Sequence, residues 1–116
     1  MDFQGRRERL RKAMKKAFLD ALLITDFHNV TYLTGFTGDD SYLIVRSKGE
    51  TVLSDPRYVT QLAEECPGVD GQIRPPGVNM VQAVARNVGP ANTVRLGIEG
   101  DSMTVALRER IAHKLP

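Results

Sequence analysis

The chain has 116 residues, 41% of them hydrophobic and 26% charged, and a formal net charge of +2. That length predicts one domain with its own core, spanning 1–116, and that composition excludes a disordered chain. No apolar run approaches the roughly 20 residues of a membrane span. No signal peptide is visible at the charged N-terminus. The single cysteine, Cys66, excludes an internal disulfide, and a soluble protein of a reducing, cytoplasmic compartment is expected.

Residues 1–16 carry seven basic side chains (Arg6, Arg7, Arg9, Arg11, Lys12, Lys15, Lys16) against Asp2 and Glu8, whereas the remainder is net acidic. Leu10, Met14, Ala17, Phe18 and Ala21 fall on one helical stripe. The spacing predicts a helix over about 4–19, docked on a core with its charges outward. A nucleic-acid surface is the competing reading of this basic helix. It lacks the interleaved aromatic residues of a single-strand binder, and no nucleic-acid partner is expected.

Residues 21–25 are a short apolar run that predicts a buried strand. Residues 26–29 read as a turn, and 30–36 as one or two helical turns bracketed by Gly35 and Gly38. Residues 42–46 and 51–54, joined by a polar turn containing Gly49, predict a β-hairpin. Asp55-Pro56 is a helix start, an N-cap acceptor followed by proline at the first position. Tyr58, Val59, Leu62, Ala63 and Cys66 form that helix's apolar stripe, and Pro67-Gly68 stops it.

A short strand over 71–74 comes next. Asn79 and Gln82 then have capping-box spacing before a helix carrying Val81, Val84, Ala85 and Val88 on one face, stopped by Gly89-Pro90. Residues 94–99 read as a strand. Asp101 or Ser102 is expected to cap a last helix with Met103, Leu107, Ile111 and Leu115 on one side. The order predicts an α/β domain whose sheet is mixed, because a hairpin interrupts the strand–helix alternation. The pattern stops on a helix at Pro116, where another strand would be expected to continue it.

The chemistry-bearing residues are sparse. His28 and His113 are the only histidines, neither has a metal-ligand partner at helical spacing, and there is no cysteine pair, so no zinc site of the histidine/cysteine kind is expected. Asp39 and Asp40, with Asp26 or Asp55, are a conceivable set for a hard cation, though a solvated loop is the simpler reading. Ser41 and Ser54 lie outside any Gly-x-Ser-x-Gly elbow. Cys66 falls at a helix C-terminus, where the dipole disfavours a thiolate, and reads as a small core residue. The segment from Gly35 to Gly38 matches no phosphate loop. No catalytic residue and no metal ligand is expected in this chain.

One segment says more. Asn29-Val-Thr-Tyr32-Leu-Thr-Gly35-Phe36-Thr-Gly38 resembles the Asn-hydrophobic-x-Tyr-Leu-Thr-Gly-Phe-x-Gly stretch of the aminopeptidase P / prolidase / creatinase family. Ser54-Asp55-Pro56-Arg57-Tyr58 is similar to that family's Thr-Asp-x-Arg-Tyr motif, and residues 9–14, 19–25 and 95–99 fit its opening helix, first strand and late strand. Asp39, Asp40 and Ser41 stand where the family often has serine and small residues, and Ser54 replaces threonine.

The resemblance implies a ribonuclease-H-like mixed sheet with flanking helices, the N-terminal domain of a proline-specific metallopeptidase. The catalytic C-terminal domain, with two divalent ions (manganese, cobalt or zinc), would lie outside these residues. It further implies a homo-oligomer, a peptide substrate with proline at its second position, and a domain that narrows the way to the metal site. Under it, Arg57, His28, Tyr32 and Asn29 are the candidates for substrate access or an interface; the plainer readings are a structural salt bridge from Arg57 to Asp55 or Glu99, and Asn29 as the cap of the short helix. Gly35, Phe36, Gly38, Asp55 and Tyr58 are structural motif residues, the two glycines supplying backbone conformations closed to other residues. The alternative is a protein-binding module of a catalytically inactive relative.

Overall fold

The computed structural model describes residues 1–89, 93 and 95–115. Pro90, Val94 and Pro116, expected at a helix stop, a strand start and the end of the pattern, lie outside the described residues. The chain runs α1 (Phe3–Lys16), β1 (Ala21–Ile24), α2 (Phe27–Thr34), β2 (Tyr42–Arg46), β3 (Glu50–Ser54), a 3-10 turn (Pro56–Tyr58), α3 (Val59–Glu65), β4 (Asp70–Ile73), α4 (Met80–Val88), β5 (Leu96–Ile98) and α5 (Val105–Lys114). The strands form one sheet in the order β4-β3-β2-β1-β5. β2 pairs antiparallel with β1 and β3, and the outer strands β5 and β4 join in parallel. The expected mixed α/β sheet is therefore present.

Alternating strand residues feed two cores, one on each face. Ile24, Leu43, Val45 and Val52 meet Met14, Val30, Leu33, Phe36, Leu62 and Cys66 on the α1–α2–α3 side. Ala21, Leu23, Ile44 and Leu53 meet Ala83, Val84, Val88 and Ile111 on the α4–α5 side. Burial of each such aliphatic side chain is worth about 1.5–3 kcal/mol. The local signals hold where they were strongest. Asn79 and Gln82 close a reciprocal capping box on α4, Asp55 caps the turn that begins at Pro56, and the hairpin pairs Tyr42 with Leu53.

Several expectations need correction. α1 stops at Lys16, and Phe18 adopts φ +59° with 76% of its surface exposed. It takes the left-handed position found after many helices, and the reversal it creates turns Leu19 rather than Phe18 onto the core. The charges of α1 are not all outward. Arg7 is buried, donating from Nη1 to the Leu33 carbonyl at 2.8 Å with Nε 2.7 Å from Glu50. Arg11 reaches Glu50 and the carbonyls of Arg46 and Gly49.

α2 begins earlier than the motif suggested, capped by Asp26 and not by Asn29. In α3 the opening 3-10 turn is tighter than an α-helix and rotates the turns after it, so Leu62 and Cys66 face inward while Val59 and Ala63 are exposed. Thr104, not Asp101 or Ser102, caps α5, because residues 100–102 form a turn in which the Ser102 and Met103 amides bond back to the Glu99 carbonyl. Gly35 does hold a left-handed φ of +84°. Gly38 does not; its requirement is room, since a Cβ there would collide with the Phe36 ring.

Candidate functional site

β2 and β3 are register-paired at Tyr42 and Leu53, so the loop entering β2 and the turn leaving β3 emerge at one end of the sheet. A buried Ser41–Ser54 hydroxyl pair at 2.9 Å ties the two exits together. This is why Asp39 and Asp40 meet Arg57 and Tyr58, residues 17 to 19 positions away. Asp55, only 3% exposed, accepts the Arg57 backbone N–H at 2.9 Å. It also takes the Arg57 guanidinium side-on, with Nε to Oδ1 at 3.0 Å and Nη2 to Oδ2 at 2.7 Å. Nη2 bonds Asp40 as well, at 3.2 Å.

The Arg57 side chain is nevertheless 62% exposed. Its guanidinium lies 5.0 Å from the centre of the Tyr58 ring. The Tyr58 hydroxyl donates to Asp39 Oδ1, and its ring meets Phe36 edge-on at 5.8 Å.

These contacts set the electrostatics. The Arg57 side-chain hydrogen bond holds the Asp55 carboxyl below its ordinary value against the opposing cost of burial. Asp55 and Asp40 in turn raise Arg57. The bond to Asp39 pushes the Tyr58 phenol up, because ionising it would lose that donor. A cleft of about 780 Å³ opens beside this cluster, walled by Thr25, Phe27, Asp39, Asp40, Tyr42 and Gln61. Burial raises the Tyr42 phenol at its inner wall. The result is an exposed cation oriented by two carboxylates, beside the Asp40 and Tyr58 side chains that line the cleft, and accessible to an anionic or carbonyl group.

The sequence candidates do not converge. Arg57, Asp55 and Tyr58 are one cluster. His28 and Asn29 are exposed on the first turn of α2, where Asn29 Nδ2 donates to Glu99 Oε2 at 2.6 Å and the His28 ring stacks edge-on against Phe27 at 5.2 Å. Tyr32, 54% exposed, lies on another side, its ring 4.1 Å from the Arg6 guanidinium. Glu99 is the residue that sequence reasoning missed as an organiser. It accepts the N–H groups of Thr25 at 2.6 Å and Asp26 at 2.9 Å and so fixes the entry to α2. Its partners are 70 to 74 positions away, so no local signal marks it. Phe27, in the cleft wall next to His28, was also unmarked.

The acidic loop does not fit a divalent ion. The oxygens of Asp40 and Asp55 converge on the Arg57 guanidinium, which occupies the place a metal would need and repels it. Among the described residues no group of three or more histidine, cysteine or acidic side chains is arranged to hold a metal. Cys66 is buried, its thiol donates to the Leu62 carbonyl, and burial pushes its pKa up, away from the reactive thiolate. No helix among the described residues is long and apolar enough to cross a membrane.

The Creatinase/Prolidase N-terminal domain family model matches residues 6–116. The chain belongs to that family. As a Creatinase/Prolidase N-terminal domain it is 33% identical over 97 residues to the uncharacterized peptidase YqhT of Bacillus subtilis, covering 84% of this chain and 27% of that protein. It superposes on the N-terminal domain of the cytoplasmic peptidase PepQ from Mycobacterium tuberculosis with a TM-score of 0.87 and 31% identity, over 95% of this chain and 84% of that one. Against the Xaa-Pro dipeptidase from Bacillus anthracis the TM-score is 0.88 at 26% identity, over 97% of this chain but 31% of that one. This domain thus resembles the N-terminal domains of larger Xaa-Pro peptidases, and spans little more than a quarter of its curated relative.

Proposed function

We propose that this chain is the non-catalytic N-terminal domain of an Xaa-Pro aminopeptidase or dipeptidase, cytoplasmic and oligomeric, that shapes the approach of peptides with proline at the second position. The two divalent ions would be held by a C-terminal catalytic domain; this chain supplies no ligand to them. The observation that carries the reading is Arg57. Asp55 and Asp40 orient it, yet its side chain stays 62% exposed, next to the Asp40 and Tyr58 side chains that line the cleft. The two carboxylates fix the direction of the guanidinium while leaving it within reach of a substrate or partner group. Such a group selects substrates by the contacts it offers their ends.

The test is Arg57→Ala in the full-length peptidase. Loss of one charge-assisted contact to substrate, about 1.5–3 kcal/mol, predicts a fall of about tenfold or more in kcat/KM on Xaa-Pro peptides. Arg57→Ala also strips the nearly buried Asp55 carboxylate of its guanidinium partner, so a lower melting temperature is expected and the kinetics are read well below it. Unchanged kinetics in a folded variant would refute the assignment.

A further inference from the structure

β4 is an outer strand whose far edge is open. It pairs with β3 in parallel, and the Arg74 N–H continues that ladder to the Ser54 carbonyl at 2.8 Å. Backbone groups alternate along a strand. Asp70, Gln72 and Arg74 therefore turn their N–H and C=O toward β3, and Gly71 and Ile73 turn theirs away. No hydrogen bond to these outward groups is formed among the described residues. Asp70, Gly71 and Gln72 are exposed. Pro67 precedes the edge, and Pro75 and Pro76 come after it, so any added strand is confined to this short stretch.

We infer that this edge pairs with the same edge of a second copy, antiparallel about a two-fold axis through Gln72. The proposal deepens the oligomerisation part of the function proposed above and rests on it. In that register Gly71 faces Ile73 of the second copy, and each such pair exchanges both its N–H···O bonds. Gln72 faces Gln72. Asp70 faces Arg74 of the second copy, and the symmetry repeats this opposite-charge pair on the other side of the axis.

Self-complementarity is what singles out a second copy as the occupant, because shifting the register by two residues removes both charge pairs. Arg74 has capacity for the contact. Its Nη1 donates to the Val78 carbonyl at 3.1 Å and its Nη2 lies 3.9 Å from Asp55, while Asp70 accepts from Thr51 Oγ1 at 3.0 Å, so Nη2 is the group that turns to the second copy's carboxylate. On the opposite face, an apolar groove of about 330 Å³ lined by Val59, Leu62, Ala63, Pro67 and Ile73 runs beside the edge. The second copy's α3 would cover it, extending the core across the axis.

The test is sedimentation of the chain from about micromolar to about millimolar concentration, with hydrogen exchange of individual amides. A concentration-dependent dimer is expected, with Gly71 and Ile73 amides protected only in the dimer. Gln72→Lys, which sets two like-charged side chains directly opposite each other at the axis, should raise the dimer Kd by at least about tenfold. Asp70→Arg and Arg74→Asp should each prevent self-association, and mixing the two variants should restore a dimer, because opposite charges then face each other.

A dimer that Gln72→Lys leaves intact, or one in which Gly71 and Ile73 exchange freely, overturns the edge pairing and leaves the broader assembly reading standing. No association of the chain at any concentration overturns the edge pairing, and a monomeric full-length peptidase in the same sedimentation experiment would overturn the oligomerisation reading as well. Protection of the two amides only on adding an extended peptide of another protein replaces the second copy with a different occupant and overturns the proposal.

Discussion

Replacing Glu99 with alanine should unfasten α2 from β5. The Glu99 carboxylate accepts hydrogen bonds from two backbone amides and one side-chain amide, at 2.6, 2.9 and 2.6 Å. A hydrogen bond to a charged acceptor contributes about 1.5–3 kcal/mol. The three share one acceptor, and Glu99 is only half-buried, so water recovers part of the loss. A total near 3 kcal/mol is expected for Glu99→Ala, a large part of the roughly 5–15 kcal/mol that holds a domain folded. At about 2.1 cal/mol/K per residue, unfolding entropy converts this to a fall of about 12 °C in Tm. Glu99→Gln keeps an acceptor oxygen and should lose about 1 kcal/mol. Urea unfolding monitored by circular dichroism measures both, and hydrogen exchange should show the Thr25 and Asp26 amides opening in the alanine variant. A loss under about 0.5 kcal/mol, within the range of ordinary surface substitutions, would refute the reasoning. So would continued protection of those two amides.

Gly35→Ala forces an L side chain into φ +84° and sets its Cβ 2.9 Å from the Phe3 ring; about 2 kcal/mol should be lost, against about 1 kcal/mol for Gly49→Ala, whose φ is similar but whose Cβ meets nothing. Equal losses would show that Phe3 yields freely. Asp55 has a depressed folded-state pKa, mainly through the Arg57 hydrogen bond. Its contribution is therefore complete above the unfolded value near 3.9 and is lost as pH falls through the folded one. Asp55→Asn should be the less stable protein at pH 7, and the gap should close in acid; a gap constant from neutral pH to about pH 3 would contradict the ion-pair account.

The features legible in the sequence were those decided within a few residues. The Asn79/Gln82 box, the Asp55-Pro56 start and the 42–54 hairpin all rest on neighbours in the chain. Gly35 was legible for the same reason, since a left-handed helix end is a local demand. The fate of Arg7 and Arg11 was not, because the acceptors that turn them inward lie 26 to 43 positions away and a basic helix with one apolar stripe looks the same whether or not two arginines turn inward. The candidate site shows the same division. Arg57 beside Asp55 was readable from two nearby letters. The Asp39–Tyr58 bond and the role of Glu99 depend on which strand ends meet, and that is a property of the finished sheet.

The buried arginines also bear on how such a chain can change over time. Arg7 and Arg11 share the single carboxylate of Glu50, and the side chains of all three are at most 15% exposed. Losing Glu50 first strands Arg7 in a poorly hydrated place and leaves Arg11 with the Glu8 carboxylate alone, at 2.6 Å; losing either arginine first weakens the clamp that holds the opening helix to the hairpin turn. Each single step is disfavoured, whereas replacing the whole set with apolar side chains of matching volume is not. The trio is thus a small ratchet: mutational drift at any of its members must wait for the others, and the first helix and the hairpin are constrained to diverge together.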